Sequence, residues 1–312
     1  MGEAMRPLTG VYTILTTPFL ADGSLDETSL RRLVGASIAA GADGITALGV
    51  AGEAHKLTEA ERQRVVELAI ETAAGRVPVI VGASRESTEA TIEACREAER
   101  AGAAGVMIAP PTFTQPGPAL TRHFARISEA TTVPITLQDF PPVNGVTMSP
   151  ADMVALVEAA PSIVTVKLED PPTPQRIAQL VTLLGERGTS VVGGAGGLYL
   201  LDELRRGSSG SMTGFAYPEV LVRIWRAWRD DDRAAAAEAY YRYLPLLVFE
   251  GQPKLGVAIR KEILRRRGLI ATALVRQPGP QLAPGIADDL EETLDWLGMD
   301  DEFPPMASRG ND

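Results

Sequence analysis

A lysine inside an apolar strand is the residue of this sequence best suited to covalent chemistry. Lys167 sits in the run Ser162-Ile-Val-Thr-Val-Lys-Leu168. The other lysines are only Lys56, Lys254 and Lys261, and arginine supplies the rest of the thirty basic residues. Burial disfavours an ammonium ion and lowers its pKa, by roughly 3–5 units in extreme cases. The neutral amine condenses with carbonyl compounds to a Schiff base, which a guanidinium cannot do. A strand-end lysine can equally snorkel to water or pair with Glu169 or Asp170. That acidic pair itself reads as solvated loop charge rather than as an acid–base couple.

Four other segments fall where strands should end: Gly49-Val50-Ala51-Gly52-Glu53, Gln138-Asp139-Phe140-Pro141, Gly193-Gly194-Ala195-Gly196-Gly197 and Thr213-Gly214. Small residues around one lysine leave room for a substrate whose carboxylate rests on backbone N–H groups, although each glycine singly also suits a tight turn. The Gly193–Gly197 run would suit a phosphate as well, since loops after the last barrel strands often bind one. No Lys or Arg follows it until Arg205, which argues against a sugar phosphate.

Bringing such residues together requires a scaffold that gathers strand ends. Short β-branched runs alternate with amphipathic helical patterns throughout the chain. Strands are expected at Val11–Thr16, Gly44–Leu48, Val77–Gly82, Gly105–Ala109, Ile135–Gln138, Ile163–Leu168, Val191–Gly193 and Ser211–Thr213. Helices lie between them, among them Glu59–Ala74, Thr88–Ala101, Pro150–Ala159 and Pro174–Arg187. Thr58 with Glu61 forms a capping box, and Ser149-Pro150 and Thr173-Pro174 each place an N-cap before an N1 proline. Ala40-Gly41-Ala-Asp-Gly44 recurs as Ala101-Gly102-Ala-Ala-Gly105 and as Arg206-Gly207-Ser-Ser-Gly210, a glycine stop followed by a glycine entering the next strand.

Eight βα units with right-handed crossovers close a (β/α)8 TIM barrel, with a doubly wound open sheet as the alternative. Further helices follow at Pro218–Arg229, Arg233–Phe249, Leu255–Arg267 and Ile286–Leu297. The expected organisation is a barrel over 1–230, a C-terminal helical extension over 231–302, and a disordered tail over 303–312.

The net charge of −10 disfavours nucleic acid and anionic membranes as partners. Cys95 is the only cysteine, so no intrachain disulfide forms, and His55 and His123 are the only histidines, which argues against a zinc site. With no apolar run of membrane-spanning length and no signal-peptide pattern, the expectation is a cytoplasmic protein without a metal or other cofactor.

With these residues laid out, the chain resembles the dihydrodipicolinate synthase/N-acetylneuraminate lyase family of Schiff-base aldolases and lyases. The likeness runs from Gly10-Val-Tyr-Thr-Ile-Leu-Thr-Thr17-Pro-Phe19 to the C-terminal helices. Gly49-Val-Ala-Gly52-Glu53 is similar to the family's Gly-Thr-Thr-Gly-Glu carboxylate loop, and Lys167 falls at its Schiff-base lysine. The resemblance thus implies a (β/α)8 barrel, Lys167 as the imine-forming amine, a 2-oxo acid substrate and a homodimer or homotetramer. It places Gly49, Val50, Ala51 and Gly52 around the substrate, and the strand ends of a barrel add Gly194, Thr213 and Gly214 to them.

The departures redirect the expected activity. Val50 and Ala51 replace the loop threonines, leaving only backbone donors for a carboxylate. Gln138-Asp139-Phe140-Pro141 stands where the family has Tyr-Asn-x-Pro, so the proton-shuttling phenol is missing. Val143 stands where dihydrodipicolinate synthases hold a second carboxylate with arginine, and Pro111-Thr112-Phe113 replaces paired tyrosines. Gln138-Asp139, Met212-Thr-Gly214 and the stretch from Leu244-Pro245-Leu246 to Arg260 are closer in pattern to the 2-keto-3-deoxy-L-arabonate dehydratase-like branch. The expected reaction is therefore dehydration of a 2-keto-3-deoxy sugar acid through an imine and enamine on Lys167. Gln138 or Asp139 would handle the proton at the C4 hydroxyl, whichever faces inward. Pyruvate-dependent aldolase or synthase chemistry is the alternative enzyme reading, and a catalytically weak 2-oxo-acid-binding relative is the non-enzymatic one. A pyridoxal-phosphate barrel would need a phosphate cradle.

Overall fold

The computed structural model describes residues 6–306. Its first half runs β1 (Gly10–Ile14), α1 (Glu27–Ala39), β2 (Gly44–Ala47), α2 (Glu59–Ala73), β3 (Val79–Gly82), α3 (Thr88–Ala101), β4 (Gly105–Ile108) and α4 (Pro118–Ala130). Then come β5 (Ile135–Asp139), α5 (Pro141–Asn144), α6 (Pro150–Ala159), β6 (Ile163–Leu168), α7 (Thr173–Leu184), β7 (Ser190–Val192), α8 (Leu200–Arg205), β8 (Gly210–Thr213) and α9 (Pro218–Arg229). Four more helices end the chain: α10 (Arg233–Glu250), α11 (Gly256–Arg266), α12 (Pro284–Leu297) and α13 (Met299–Glu302).

All strand pairs are parallel, in the order β7-β6-β5-β4-β3-β2-β1-β8. The sheet closes through a bridge between Gly193 and Ser211. The fold is the expected TIM barrel, and the open sheet is excluded. Period-2 alternation sorts each strand's side chains into two layers. Tyr12, Ile14, Ile80, Met107, Val192 and Met212 fill the interior with Leu8, whose N–H donates to Thr165 Oγ1 at 2.9 Å. Leu8 precedes β1, so it plugs the N-terminal end of the cylinder and leaves the strands' C-terminal ends as the mouth. Outward residues such as Ile45, Val106, Leu137, Val166 and Leu168 pack under the helices. Strands buried on both faces explain the unbroken apolar runs in the sequence.

Helix starts follow the expected chemistry with one exception. Thr58 and Glu61 form a reciprocal capping box, as do Ser149 and Asp152. Thr173 instead begins α7 without capping it, because its hydroxyl donates to the buried Glu203 carboxyl at 2.5 Å. At the other end of the chain, Phe303 packs against Tyr217 and Tyr243, and the Met306 N–H donates to Arg267 O. Within the segment read from sequence as a tail over 303–312, Phe303 is half-buried and residues 304–306 are exposed, while residues 307–312 lie outside the described residues. No helix among the described residues is long and apolar enough to cross a membrane.

Candidate active site

Lys167 points into the mouth of the barrel and is 2% exposed. Its Nζ lies 2.6 Å from Glu169 Oε2. The same oxygen accepts a 2.9 Å hydrogen bond from Gln138 Nε2, and Glu169 Oε1 accepts from the Ala195 N–H at 3.3 Å. Strand geometry makes this cluster. Gln138 is the register partner of Lys167, so the two share a face, and the period of two that turns Lys167 inward turns Glu169 inward as well. The Glu169 N–H extends the ladder to Asp139 O at 2.9 Å. Glu169 is buried, which corrects its reading as a solvated loop charge; Asp170 beside it is half-buried and pairs with Arg176 at 3.3 Å.

The structure also separates Gln138 from Asp139. The strand continues through Asp139, which pairs with Leu168 on the outer face. Asp139 is 0% exposed and its Oδ2 accepts from Arg176 Nη2 on α7 at 3.2 Å. Its Oδ1 has no hydrogen-bond partner among the described residues. Burial pushes the carboxyl up to about 7, against the opposing pull of the Arg176 guanidinium. Of the two expected proton carriers, only Gln138 shares the inner face with Lys167, the two meeting on Glu169 Oε2, and the direction of the Asp139 side chain corrects its expected place in the site.

The glycine-rich segments line the same mouth. Val50–Gly52 forms a single 3-10 turn after Gly49, and Ala51 packs on the interior cluster. The Thr17 hydroxyl donates to Gly52 O at 2.6 Å and fastens that turn to the end of β1. Gly194 lies against Glu169: a Cβ there would sit 2.4 Å from Glu169 Oε1. Thr213 does not offer its hydroxyl to the mouth; Oγ1 accepts from the Gly196 N–H at 2.8 Å and so anchors the 193–197 loop. Gly214 makes room for Arg260, whose Nη1 would lie 2.3 Å from a Cβ at that position. Arg260 in turn donates from Nε to the buried Glu250 at 2.6 Å.

Three charged groups near this mouth were given no place in the site by the sequence reading. Glu169 was legible from its spacing to Lys167. Glu203 is wholly buried behind Gly193, and burial pushes its carboxyl up to about 7. Lys261 is wholly buried on α11 and pairs with Glu53. Among the described residues no tyrosine hydroxyl is hydrogen-bonded to Lys167, Glu169 or Gln138: Tyr12 packs on Gly44, with burial pushing it up to about 12, and the Tyr240 hydroxyl donates to Leu198 O at 2.5 Å. Among the described residues, no group of three or more His, Cys, Asp or Glu side chains could hold a metal ion. The arrangement offers an amine, an adjacent carboxylate and an amide that orients it, at the C-terminal mouth of the barrel beside the glycine-rich loops.

The model of the dihydrodipicolinate synthetase family matches residues 7–296. The chain belongs to that family. It is therefore a lyase of the dihydrodipicolinate synthase type, on the family's barrel. It is 32% identical over 285 residues to L-2-keto-3-deoxyarabonate dehydratase of Azospirillum brasilense, covering 90% of this chain and 92% of that protein. It is 37% identical over 244 residues to 4-hydroxy-tetrahydrodipicolinate synthase of Sorangium cellulosum, covering 77% and 80%. The dihydrodipicolinate synthase structure from Rhodopseudomonas palustris superposes with a TM-score of 0.87 at 34% identity, covering 94% and 99%. Relatives of this lyase thus include both a dehydratase and synthases.

Proposed function

We propose that the protein forms a Schiff base between Lys167 and a 2-oxo acid and dehydrates a 2-keto-3-deoxy sugar acid. The observation that carries this reading is the Glu169 carboxylate, 2.6 Å from the amine and oriented by Gln138, with no tyrosine hydroxyl hydrogen-bonded to it among the described residues. Glu169 accepts a proton from the Lys167 ammonium, and the free amine attacks the C2 carbonyl. Glu169 returns that proton to the carbinolamine hydroxyl as water leaves to give the iminium, and the carboxylate so regenerated removes a C3 proton to form the enamine. The protonated Glu169 then donates to the C4 hydroxyl. The C4–O bond breaks, water leaves, the enamine electron pair forms the C3–C4 double bond and the iminium returns for hydrolysis. One carboxyl that alternates between base and acid suits this sequence. Retro-aldol cleavage needs a base at the C4 hydroxyl instead, the work that the resemblance gives to the missing tyrosine.

Backbone N–H groups of the Gly49–Gly52 loop would hold the substrate carboxylate, with Gly194 and Gly214 giving room and Thr213 securing the opposite loop. The same reading takes the protein as a cytoplasmic homodimer or homotetramer that works without a cofactor on a small-molecule acid such as pyruvate or a 2-keto-3-deoxy acid. Borohydride reduction in the presence of pyruvate and a panel of 2-keto-3-deoxy acids, followed by peptide mass analysis, tests the imine. The expected result is a single adduct on Lys167 and water loss from the deoxy acids. An adduct on Lys56 or Lys261 overturns the assignment of the amine. Release of pyruvate from the deoxy acids overturns dehydration and leaves an aldolase.

A further inference from the structure

The loop assigned to the substrate carboxylate ends at Glu53, which has a left-handed backbone (φ 54°) despite its side chain. Non-glycine residues hold that conformation only where the surroundings over-determine it. Here two hydrogen-bond donors and the ammonium of an ion pair converge on one carboxylate. Lys261 Nζ lies 2.5 Å from Oε1, while Lys56 Nζ at 2.9 Å and the Arg276 N–H at 3.0 Å reach Oε2. Glu53 is itself almost wholly buried, so its charge depends on these partners.

These partners come from distant parts of the chain. Lys261 is on α11, is 0% exposed, donates to Leu274 O at 2.6 Å and lies 4.4 Å from the centre of the Phe19 ring. The irregular chain after α11 folds back over the mouth of the barrel. Thr272 Oγ1 donates to Phe19 O at 2.7 Å, and Arg276 grips Glu61 through two hydrogen bonds of 2.6 and 2.8 Å. Lys56 Nζ closes the ring on Arg276 O at 2.9 Å. α11 is already packed by Ile259, Ile263 and Leu264. The ammonium beyond them has nothing to hold but Leu274, Phe19 and the end of the carboxylate loop.

We infer that Lys261 is a positioning residue for the substrate carboxylate: through Glu53 it fixes the corner that ends the Gly49–Gly52 loop, and so sets how tightly that loop grips the acid. This rests on the reading of the loop given above. On this view the helical extension is part of the binding apparatus, reaching the substrate through one ion pair and one left-handed residue.

The test compares two ketones in borohydride trapping at Lys167: pyruvate, which has a carboxylate, and hydroxyacetone, which has none. In Lys261→Met the half-saturating pyruvate concentration is expected to rise about ten- to a hundredfold, the range for losing one hydrogen bond to a charged group, while that of hydroxyacetone stays within about twofold. Glu53→Gln, nearly isosteric and uncharged, is expected to move the same way and serves if the methionine variant does not fold. Equal weakening for both ketones assigns Lys261 a merely structural role and overturns the inference. So does an unchanged pyruvate dependence in both variants. If the unaltered protein traps neither ketone at Lys167, the Schiff-base reading fails and this inference falls with it.

Discussion

Replacing Asp139 with Asn separates a catalytic carboxyl from a buried one that faces the helices. In the folded protein burial pushes the Asp139 carboxyl up to about 7, from an ordinary value of 3.8. A group whose folded pKa is raised adds stability that is fully present below its unfolded value and is lost as pH rises through its folded value. Between pH 5 and 7 the folded state keeps a proton that the unfolded chain has released, and beyond 7 both are ionised. Each unit is worth 1.36 kcal/mol, so the aspartate should destabilise the fold progressively relative to asparagine, by about 3 kcal/mol more at pH 8 than at pH 5. The lost hydrogen bond to Arg176 shifts both values by a similar amount and leaves the slope. Urea unfolding of Asp139→Asn and the parent at the two pH values measures the difference, alongside turnover of a 2-keto-3-deoxy acid. Turnover is expected to stay within a few-fold of the parent. A difference in stability that does not change with pH would show that the carboxyl is not held as described. A loss of about 10²–10⁴ in rate with trapping at Lys167 intact would make Asp139 the acid after all and refute the placement argued from strand register.

Glu169→Gln keeps the hydrogen-bonding shape but removes the base, so turnover is expected to fall about 10²–10⁴-fold in a steady-state assay, the usual worth of general acid–base catalysis. Unchanged turnover would return Gln138 or water to that role. Condensation of pyruvate with aspartate semialdehyde is expected to be orders of magnitude slower than in a biosynthetic synthase. Val143, 53% exposed, offers no cation where the resemblance places an arginine, and an unmade hydrogen bond to a charged group forfeits roughly 1.5–3 kcal/mol. Rapid turnover in a coupled reductase assay would move synthase chemistry to first place.

The barrel was legible because strands buried on both faces must be apolar along their whole length, and only the ends were misjudged. β1 ends at Ile14 rather than Thr16, and β7 begins at Ser190 rather than Val191, since pairing and not composition decides where a ladder stops. Lys167 stood out for the opposite reason, as the one charged interruption of such a run. Choosing between Gln138 and Asp139 needed the register with β6, which no local pattern supplies. Glu169 was misread because an acidic pair after a strand resembles a solvated turn, although counting by twos from Lys167 places it inward. Thr173 has the composition of a helix cap, but the hydroxyl is claimed by a carboxyl thirty residues away. The partners of Glu53 were beyond reach, since the Arg276 N–H that meets it is 223 positions along the chain.

The closure of the cylinder has a consequence for how it moves. Every other pair of neighbouring strands shares a ladder of several residues, whereas β7 and β8 are joined by one bridge, where Gly193 accepts from Met212 and donates to Gly210 at 3.0 and 3.1 Å, and by the Ser209 N–H on Val191 O at 2.8 Å. That join is the seam of the barrel, and native-state openings run along the least-paired edges. The residue after the seam is Gly194, the wall behind Glu169, and Thr213 stitches the same loop two residues further on. When the seam slackens, the wall of the pocket withdraws with it. On the proposed reading of the site, breathing of the fold and admission of substrate would be a single motion, located between the last two staves.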